Sequence, residues 1–210
     1  NTATTRSSPV QVGALTTWSS VSAGFAHTTA IKTDGILWAW GLNTNGRLGD
    51  NTVTTRSSPV MIGSKIGTWS SVAAGGNHTA ATKTNGTLWA WGLGTFGRLG
   101  GNNATTRSSP VQVGALTTWS SVSAGNLHTA AIKTDGTLWA WGFNGNGQVG
   151  DNTATTRSSP VQVGALTTWS SVSANGHTTA TKTDGTLWAW GLNTSGQLGD
   201  NTATAQSSPV

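Results

Sequence analysis

The sequence predicts an all-β fold: a β-propeller built of four-stranded antiparallel blades. Three observations predict it. A unit of about 50 residues occurs four times, each unit holds four short β-rich runs without a helical period, and turn residues stand at fixed places between the runs. Trp18, Trp69, Trp119 and Trp169 are spaced by 51, 50 and 50 residues, and His27, His78, His128 and His177 by 51, 50 and 49. The string ATTRSSPVQVGALTTWSSVSA stands unchanged at 3–23, 104–124 and 154–174. No linker separates the copies, so the reading is a single repeat domain over 1–210. It has an N-terminal strand at 1–13 and blades at about 14–62, 63–113, 114–163 and 164–210.

Each unit is predicted to contain four strands, a to d. Strand a (18–24 in the first copy, WSSVSAG) is made of small residues that suit a crowded centre and is placed innermost. Strand b (27–33, HTTAIKT) and strand c (36–41, ILWAWG) are joined by Asp34-Gly35, and in the later copies by Asn85-Gly86, Asp135-Gly136 and Asp184-Gly185. Asp-Gly and Asn-Gly favour the tight type I′ hairpin turn, whose two positive-φ positions match strand twist. Strand d carries the prolines, Pro9, Pro59, Pro110, Pro160 and Pro209. Proline lacks the N–H that a central strand needs, so d is placed on the outer edge. The pairs Trp38/Trp40, Trp89/Trp91, Trp139/Trp141 and Trp188/Trp190 sit two residues apart on strand c. Both rings of a pair therefore share one face, and they are expected to form core against the next blade.

Composition excludes several functions. Only 8% of the 210 residues are charged, with no Glu, Tyr or Cys and twelve Trp. No apolar run approaches the roughly 20 residues of a membrane helix, so membrane insertion is not expected. The net charge of +5 is mild. Arg6, Arg56, Arg107 and Arg157 recur once per repeat and would be spread around the body rather than gathered into a stripe, so no nucleic-acid partner is expected. The chain starts at Asn1 and reads as a processed product or a piece of something longer.

Neither catalysis nor a cofactor is expected. His27, His78, His128 and His177 would stand far apart in a ring, each fixing its a–b turn by a hydrogen bond to a neighbouring loop, so no metal site is assigned. Asp34, Asp135 and Asp184 are turn residues, and Asn85 takes the same place in the second copy. Asp50, Asp151 and Asp200 lie in a Gly-rich loop, where Gly101 replaces them once. Acid–base catalysis needs paired, tuned groups, and these acids are replaceable. The loop at 41–51, GLNTNGRLGDN, lacks the Gly-Lys-Ser/Thr ending and helix of a phosphate loop.

Differences among the copies gather in two connections that a meander places on one rim. The a–b loop carries Phe25 and Ala26, then Gly76 and Asn77, then Asn126 and Leu127, then Asn175. The c–d loop carries Asn45 and Arg47, then Phe96 and Arg98, then Asn146 and Gln148, then Ser195 and Gln197. These residues form the expected binding rim, with Phe25, Phe96 and Leu127 as exposed apolar members. The opposite rim holds the Asp-Gly turns and a GALTT loop that changes only at 63–68. A constant scaffold with variable loops is the usual plan of a binding protein.

In order, the units read Ala-Gly-x-x-His-Thr-x-Ala, Lys-Thr-Asp-Gly-x-Leu-Trp-x-Trp-Gly and Asn-x-x-Gly-x-Leu-Gly-Asp. This pattern resembles the regulator of chromosome condensation repeat over the whole chain. The resemblance implies propeller blades, typically seven, and a protein-binding scaffold. The founding member is a nuclear guanine-nucleotide exchange factor, but no counterpart of its exchange insertions is present, so that activity is not carried over. The chain departs further in having four copies, the last one residue short at SANGHT (173–178). Near-identical Thr/Ser-rich copies look more like bacterial or phage surface proteins, which implies an extracellular, cell-surface or virion setting. The expected function is a non-enzymatic scaffold recognising a protein or glycan through the rim. The alternative is a structural, self-assembling propeller, natural or engineered, in which two chains join head to tail as a homodimer of eight blades.

Overall fold

A computed structural model describes residues 6–63 and 68–210. The first blade comprises β1 (Trp18–Ala23), β2 (His27–Lys32), β3 (Leu37–Gly41) and β4 (Arg56–Met61). The second comprises β5 (Trp69–Ala74), β6 (His78–Lys83), β7 (Leu88–Gly92) and β8 (Arg107–Gln112), and the third β9 (Trp119–Ala124), β10 (His128–Lys133), β11 (Leu138–Gly142) and β12 (Arg157–Gln162). The fourth has β13 (Trp169–Ala174), β14 (His177–Lys182) and β15 (Leu187–Gly191). Its outer edge is completed only by a bridge between Gly191 and Gln206 and backbone bonds between Ala189 and Val210. Every sheet is an antiparallel meander in chain order.

The register shows why the repeated words fold this way. Gly35, Gly86, Gly136 and Gly185 all have positive φ in the b–c turn, but Asp34, Asn85, Asp135 and Asp184 do not, so the connection is not the expected two-residue type I′ turn, which needs both. The Gly35 N–H instead returns to the Lys32 carbonyl at 2.9 Å, and the same bond recurs in each copy, closing a three-residue loop on a left-handed Gly. The preceding side chain closes the turn: Asp135 Oδ1 accepts from the Thr137 N–H at 2.9 Å, and Asn85 Oδ1 accepts from the Thr87 N–H at 3.2 Å. Asn serves as well as Asp because only an acceptor is needed.

Three apolar clusters join neighbouring blades, and their membership corrects the expected direction of the tryptophans. Trp69, Val72, Trp89 and Trp91 of the second blade lie on Ile31, Leu37, Ala39 and Ile62 of the first. The third and fourth blades repeat the arrangement. The Trp rings therefore face the preceding blade, not the next one. The strand-a Trp wedges between the strand-c pair: Trp119 stands 6.3 Å from Trp139 and 6.1 Å from Trp141, near edge-on. Lys133 Nζ caps Trp139 at 3.7 Å from its ring, an attraction between cation and π-face that the other copies share.

Residues 6–17 form no strand. A strand-d copy lies there in sequence, without a strand-c partner among the described residues. Residues 1–5 of the expected N-terminal strand and 64–67 of the altered GALTT loop lie outside the described residues.

Candidate functional site

The a–b loops line one end of the central axis and are tied together in sequence. The Phe25 N–H donates to the Gly75 carbonyl at 3.2 Å, Gly76 to Gly125 at 3.1 Å, and Asn126 to Asn175 at 3.0 Å. Their residues surround a depression of about 380 Å³ to which Phe25, Gly76, Asn126 and Asn175 contribute. Phe25 is 84% exposed. These four predicted rim residues are thus brought to one place. The c–d loops reach the same end, since Leu42 N–H donates to Ala26 O and Leu93 N–H to Asn77 O.

The second tier of the rim is different. Arg47, Arg98 and Gln148 are 2%, 1% and 2% exposed, so they are not recognition groups. Arg47 Nη1 donates to the Gly76 carbonyl at 3.3 Å, and Arg98 Nη1 to the Asn126 carbonyl at 3.1 Å. Each guanidinium holds the a–b loop of the following blade. In the third copy, Gln148 turns back to accept the Asn146 N–H. Their backbone carbonyls are used too: Trp141 Nε1 donates to Arg98 O at 3.0 Å and Trp190 Nε1 to Gln148 O at 3.1 Å. Gly76 is likewise buried.

Other rim residues remain accessible to different degrees. Phe96 is 46% exposed at φ 62° and stacks on Phe143, with ring centroids 5.0 Å apart. Asn126, Asn175 and Ser195 are exposed; Ala26, Asn45, Asn77, Leu127, Asn146 and Gln197 are half-buried.

The histidines are structural, though not through a neighbouring loop as expected. His27 Nε2 lies 2.9 Å from Thr79 Oγ1, His78 Nε2 2.8 Å from Thr129 Oγ1, and His128 Nε2 2.7 Å from Thr178 Oγ1. Each partner is the Thr that follows the next blade's His. The invariant His-Thr pair was the signal available in sequence. Burial pushes His27 down to about 4, with Arg47 adding to the effect, and His128 down to about 3, with His177 adding. Burial also holds His78 well below its usual value, followed by Arg98 and the neighbouring His. Neutral imidazoles engaged across blade seams leave no convergent ligand set, and no group of three potential metal ligands occurs among the described residues.

The regulator of chromosome condensation (RCC1) repeat model matches residues 34–82, 85–132, 135–181 and 184–210. The chain belongs to the RCC1 repeat family. A second model of the repeat matches 18–47, 69–98 and 119–148. Human E3 ubiquitin-protein ligase HERC2 is 33% identical over 113 residues, 51% of this chain and 2% of that protein. Ultraviolet-B receptor UVR8 of Arabidopsis thaliana is 35% identical over 94 residues, 44% of this chain and 21% of that protein. Among solved structures, human WBSCR16 superposes with a TM-score of 0.83 at 20% identity, covering 92% of this chain and 52% of that one. Prp20p of Saccharomyces cerevisiae superposes at 0.77 and 24% identity, covering 91% and 49%. The chain thus spans about half of these solved relatives and a smaller share of the curated ones. RCC1-type propellers include protein binders: yeast RCC1 (Prp20) is seen bound to Kap60.

The acids of RCC1-type blades are structural here. Burial raises Asp50, but hydrogen bonds from Thr52, Arg56 and Asn43 outweigh it and hold the carboxyl below its usual range. Asp151 is held the same way by Thr153 and Arg157. Each acid closes its own c–d loop.

Proposed function

We propose that this chain is a non-enzymatic binding scaffold that recognises a protein or glycan through the exposed members of the a–b and c–d rim. One observation carries the reading. The residues shared by the copies are consumed in blade seams, while Phe25, Asn126 and Asn175 differ between copies, stand free and converge on one depression. Family relatives that bind proteins, such as Prp20 with Kap60, are consistent with it. In this reading the protein works outside the cell or on a virion and takes no nucleic acid. The test is a glycan array and a panel of purified cell-surface proteins, probed with the wild type and with Phe25→Ser. Ligands that the variant loses while keeping its thermal stability support the rim; ligands retained by the variant overturn it.

A second reading, self-assembly, rests on the two terminal blade faces. Val21 and Leu187 are each 70% exposed. Trp18 and Trp40 are half-buried, where Trp119 and Trp141 are 3% and 0% exposed. The first blade thus offers an uncovered Trp face, and the fourth offers the Leu face that receives such tryptophans at every internal seam. A second copy joined head to tail would cover both and close eight blades around a two-fold axis. Sedimentation equilibrium checks this: a species of twice 21.4 kDa supports it, and a monomer at micromolar concentration overturns it.

A further inference from the structure

We infer that the outer cleft between the second and third blades is a binding site for an organic carboxylate with an apolar body. In three of the four copies a carboxylate sits at one place in the c–d loop and meets a donor six residues later. Arg56 Nη2 lies 2.8 Å from Asp50 Oδ2, Arg157 Nε lies 2.6 Å from Asp151 Oδ2, and Gln206 Nε2 donates to Asp200 Oδ2 at 3.1 Å. The second copy keeps the cation, Arg107, and replaces the acid by Gly101.

The loop backbone keeps its shape without the acid. Asn102 has φ 59°, against 63°, 62° and 62° for Asn51, Asn152 and Asn201. Its N–H donates to Ser158 O at 2.8 Å, as Asn51 donates to Ser108 O and Asn152 to Ser207 O. Two of the donors that elsewhere hold the carboxylate remain, the Arg107 guanidinium and the Asn103 N–H, while the Thr52 and Thr153 hydroxyls that also bond their acids have no counterpart at Asn103. The Arg107 guanidinium is exposed, and neither it nor the Asn103 N–H, the counterpart of the Thr52 and Thr153 N–H groups that bond Asp50 and Asp151, meets a protein acceptor among the described residues. Gly94 stands where Asn43 and Asn144 donate to their acids, so the guanidinium carries the site.

These groups line a cleft of about 580 Å³, within the range of about 300–1,000 Å³ common for small-ligand sites. Arg107 and Lys133 both line it and no carboxylate does, while Trp119, Trp139 and Leu116 give it an apolar wall. A ligand that places a carboxylate on Arg107 and an apolar group along the tryptophans satisfies both features. A charge-assisted contact to Arg is roughly twice as strong as a neutral one. The site is separate from the a–b rim, so the fate of the rim reading does not bear on it.

The test is isothermal titration of the intact chain with two probes, 3-phenylpropionate and the capped tripeptide acetyl-Leu-Asp-Leu-amide, beside their uncharged partners 3-phenylpropanamide and acetyl-Leu-Asn-Leu-amide. Binding of at least one carboxylate, about tenfold tighter than its amide, is expected. The tripeptide alone binding assigns the site to an acidic segment of a partner protein; 3-phenylpropionate binding as well assigns it to a small free acid. Arg107→Gln is expected to weaken binding about tenfold. Gly101→Asp is expected to abolish it by supplying the internal partner. A Cβ at Gly101 meets only Asn103 Nδ2, at 3.9 Å, so this variant fits the fold. Arg56→Gln, in the first blade, leaves binding unchanged. No carboxylate binding at about 5 mM, a range corresponding to only about 3 kcal/mol, overturns the inference, as does binding that survives both Arg107→Gln and Gly101→Asp.

Discussion

His78 and Thr129, on adjacent blades, share a hydrogen bond whose direction is fixed. Thr129 Oγ1 donates its proton to the Arg98 carbonyl at 2.8 Å, so at 2.8 Å from His78 it acts as acceptor and Nε2 carries the imidazole proton. His78 Nδ1 is then bare, buried and without a partner. The same relay runs from His27 through Thr79 to Arg47 O, and from His128 through Thr178 to Gln148 O.

A pH dependence follows. These imidazoles are neutral in the fold, with His27 at about 4 and His128 at about 3, whereas the unfolded chain titrates near 6.5. A His depressed in the folded state contributes stability that is complete above the unfolded value and is lost as pH falls toward the folded one. Each such His costs roughly 2 kcal/mol at pH 5. Urea unfolding from pH 7.5 to 4.5 should show the midpoint falling from about pH 6.5 downward. His128→Gln should flatten that slope. The Asp50 and Asp151 carboxyls, also held low, add their loss only below about pH 4. A midpoint constant down to pH 5 would contradict the neutral-imidazole relay.

Burial of the tryptophans differs by blade, and stability should follow it. Trp141 is fully buried against the second blade, so Trp141→Ala is expected to cost about 3–5 kcal/mol. Trp40 occupies the same repeat position, is packed on no other blade among the described residues and is half-buried. Trp40→Ala should cost less in dilute solution. If two copies join through that face, its cost rises with protein concentration. Chemical denaturation at two concentrations separates the cases.

Glycine is required where an indole lies on the backbone. A Cβ at Gly150 would stand 2.5 Å from Trp190 Nε1 at a residue with φ +81°, whereas a Cβ at Gly114, φ +63°, meets nothing within 4 Å. Gly150→Ala therefore combines strain with a clash in the seam and should cost more than about 2 kcal/mol. Gly114→Ala should cost about 1 kcal/mol, for strain alone. Equal losses in thermal melts would mean that the indole does not confine the loop.

The scaffold was legible because its signals are local and repeated. Asp-Gly fixes a hairpin, proline marks the outer edge, and Trp-x-Trp makes one face apolar. The direction of that face was not legible, because alternation tells that Trp89 and Trp91 share a side but not which blade lies there. The exposure of Phe25, Asn126 and Asn175 around one depression was legible. At Arg47, Arg98 and Gln148 it was not, because a difference between copies was read as exposure. The change from Arg98 to Gln148 instead alters how a buried group ties its loop, which no property of the single residue discloses. Arg107 differs from Arg56 and Arg157 only in lacking the acid that holds them, Asp50 and Asp151, a difference that single residues in the sequence do not disclose.

The two apolar rim residues should respond differently to removal. Phe25 is 84% exposed and no aromatic partner of it occurs among the described residues, so Phe25→Ser is expected to change stability by under about 0.5 kcal/mol. Phe96 stacks on Phe143 at 5.0 Å, and its guanidinium neighbour Arg98 lies 5.7 Å from its ring. Losing an aromatic pair costs roughly 0.5–1.5 kcal/mol beyond buried area. Against that, Phe96 holds φ 62°, a left-handed conformation that Asn tolerates better than Phe. Phe96→Ser should therefore destabilise by about 1 kcal/mol, and Phe96→Asn by less, since backbone relief offsets the lost ring contact. Thermal melts of the three variants give the order Phe25→Ser, Phe96→Asn, Phe96→Ser from most to least stable. If Phe25→Ser proves the most damaging, Phe25 belongs to the core and the recognition rim loses its principal apolar group.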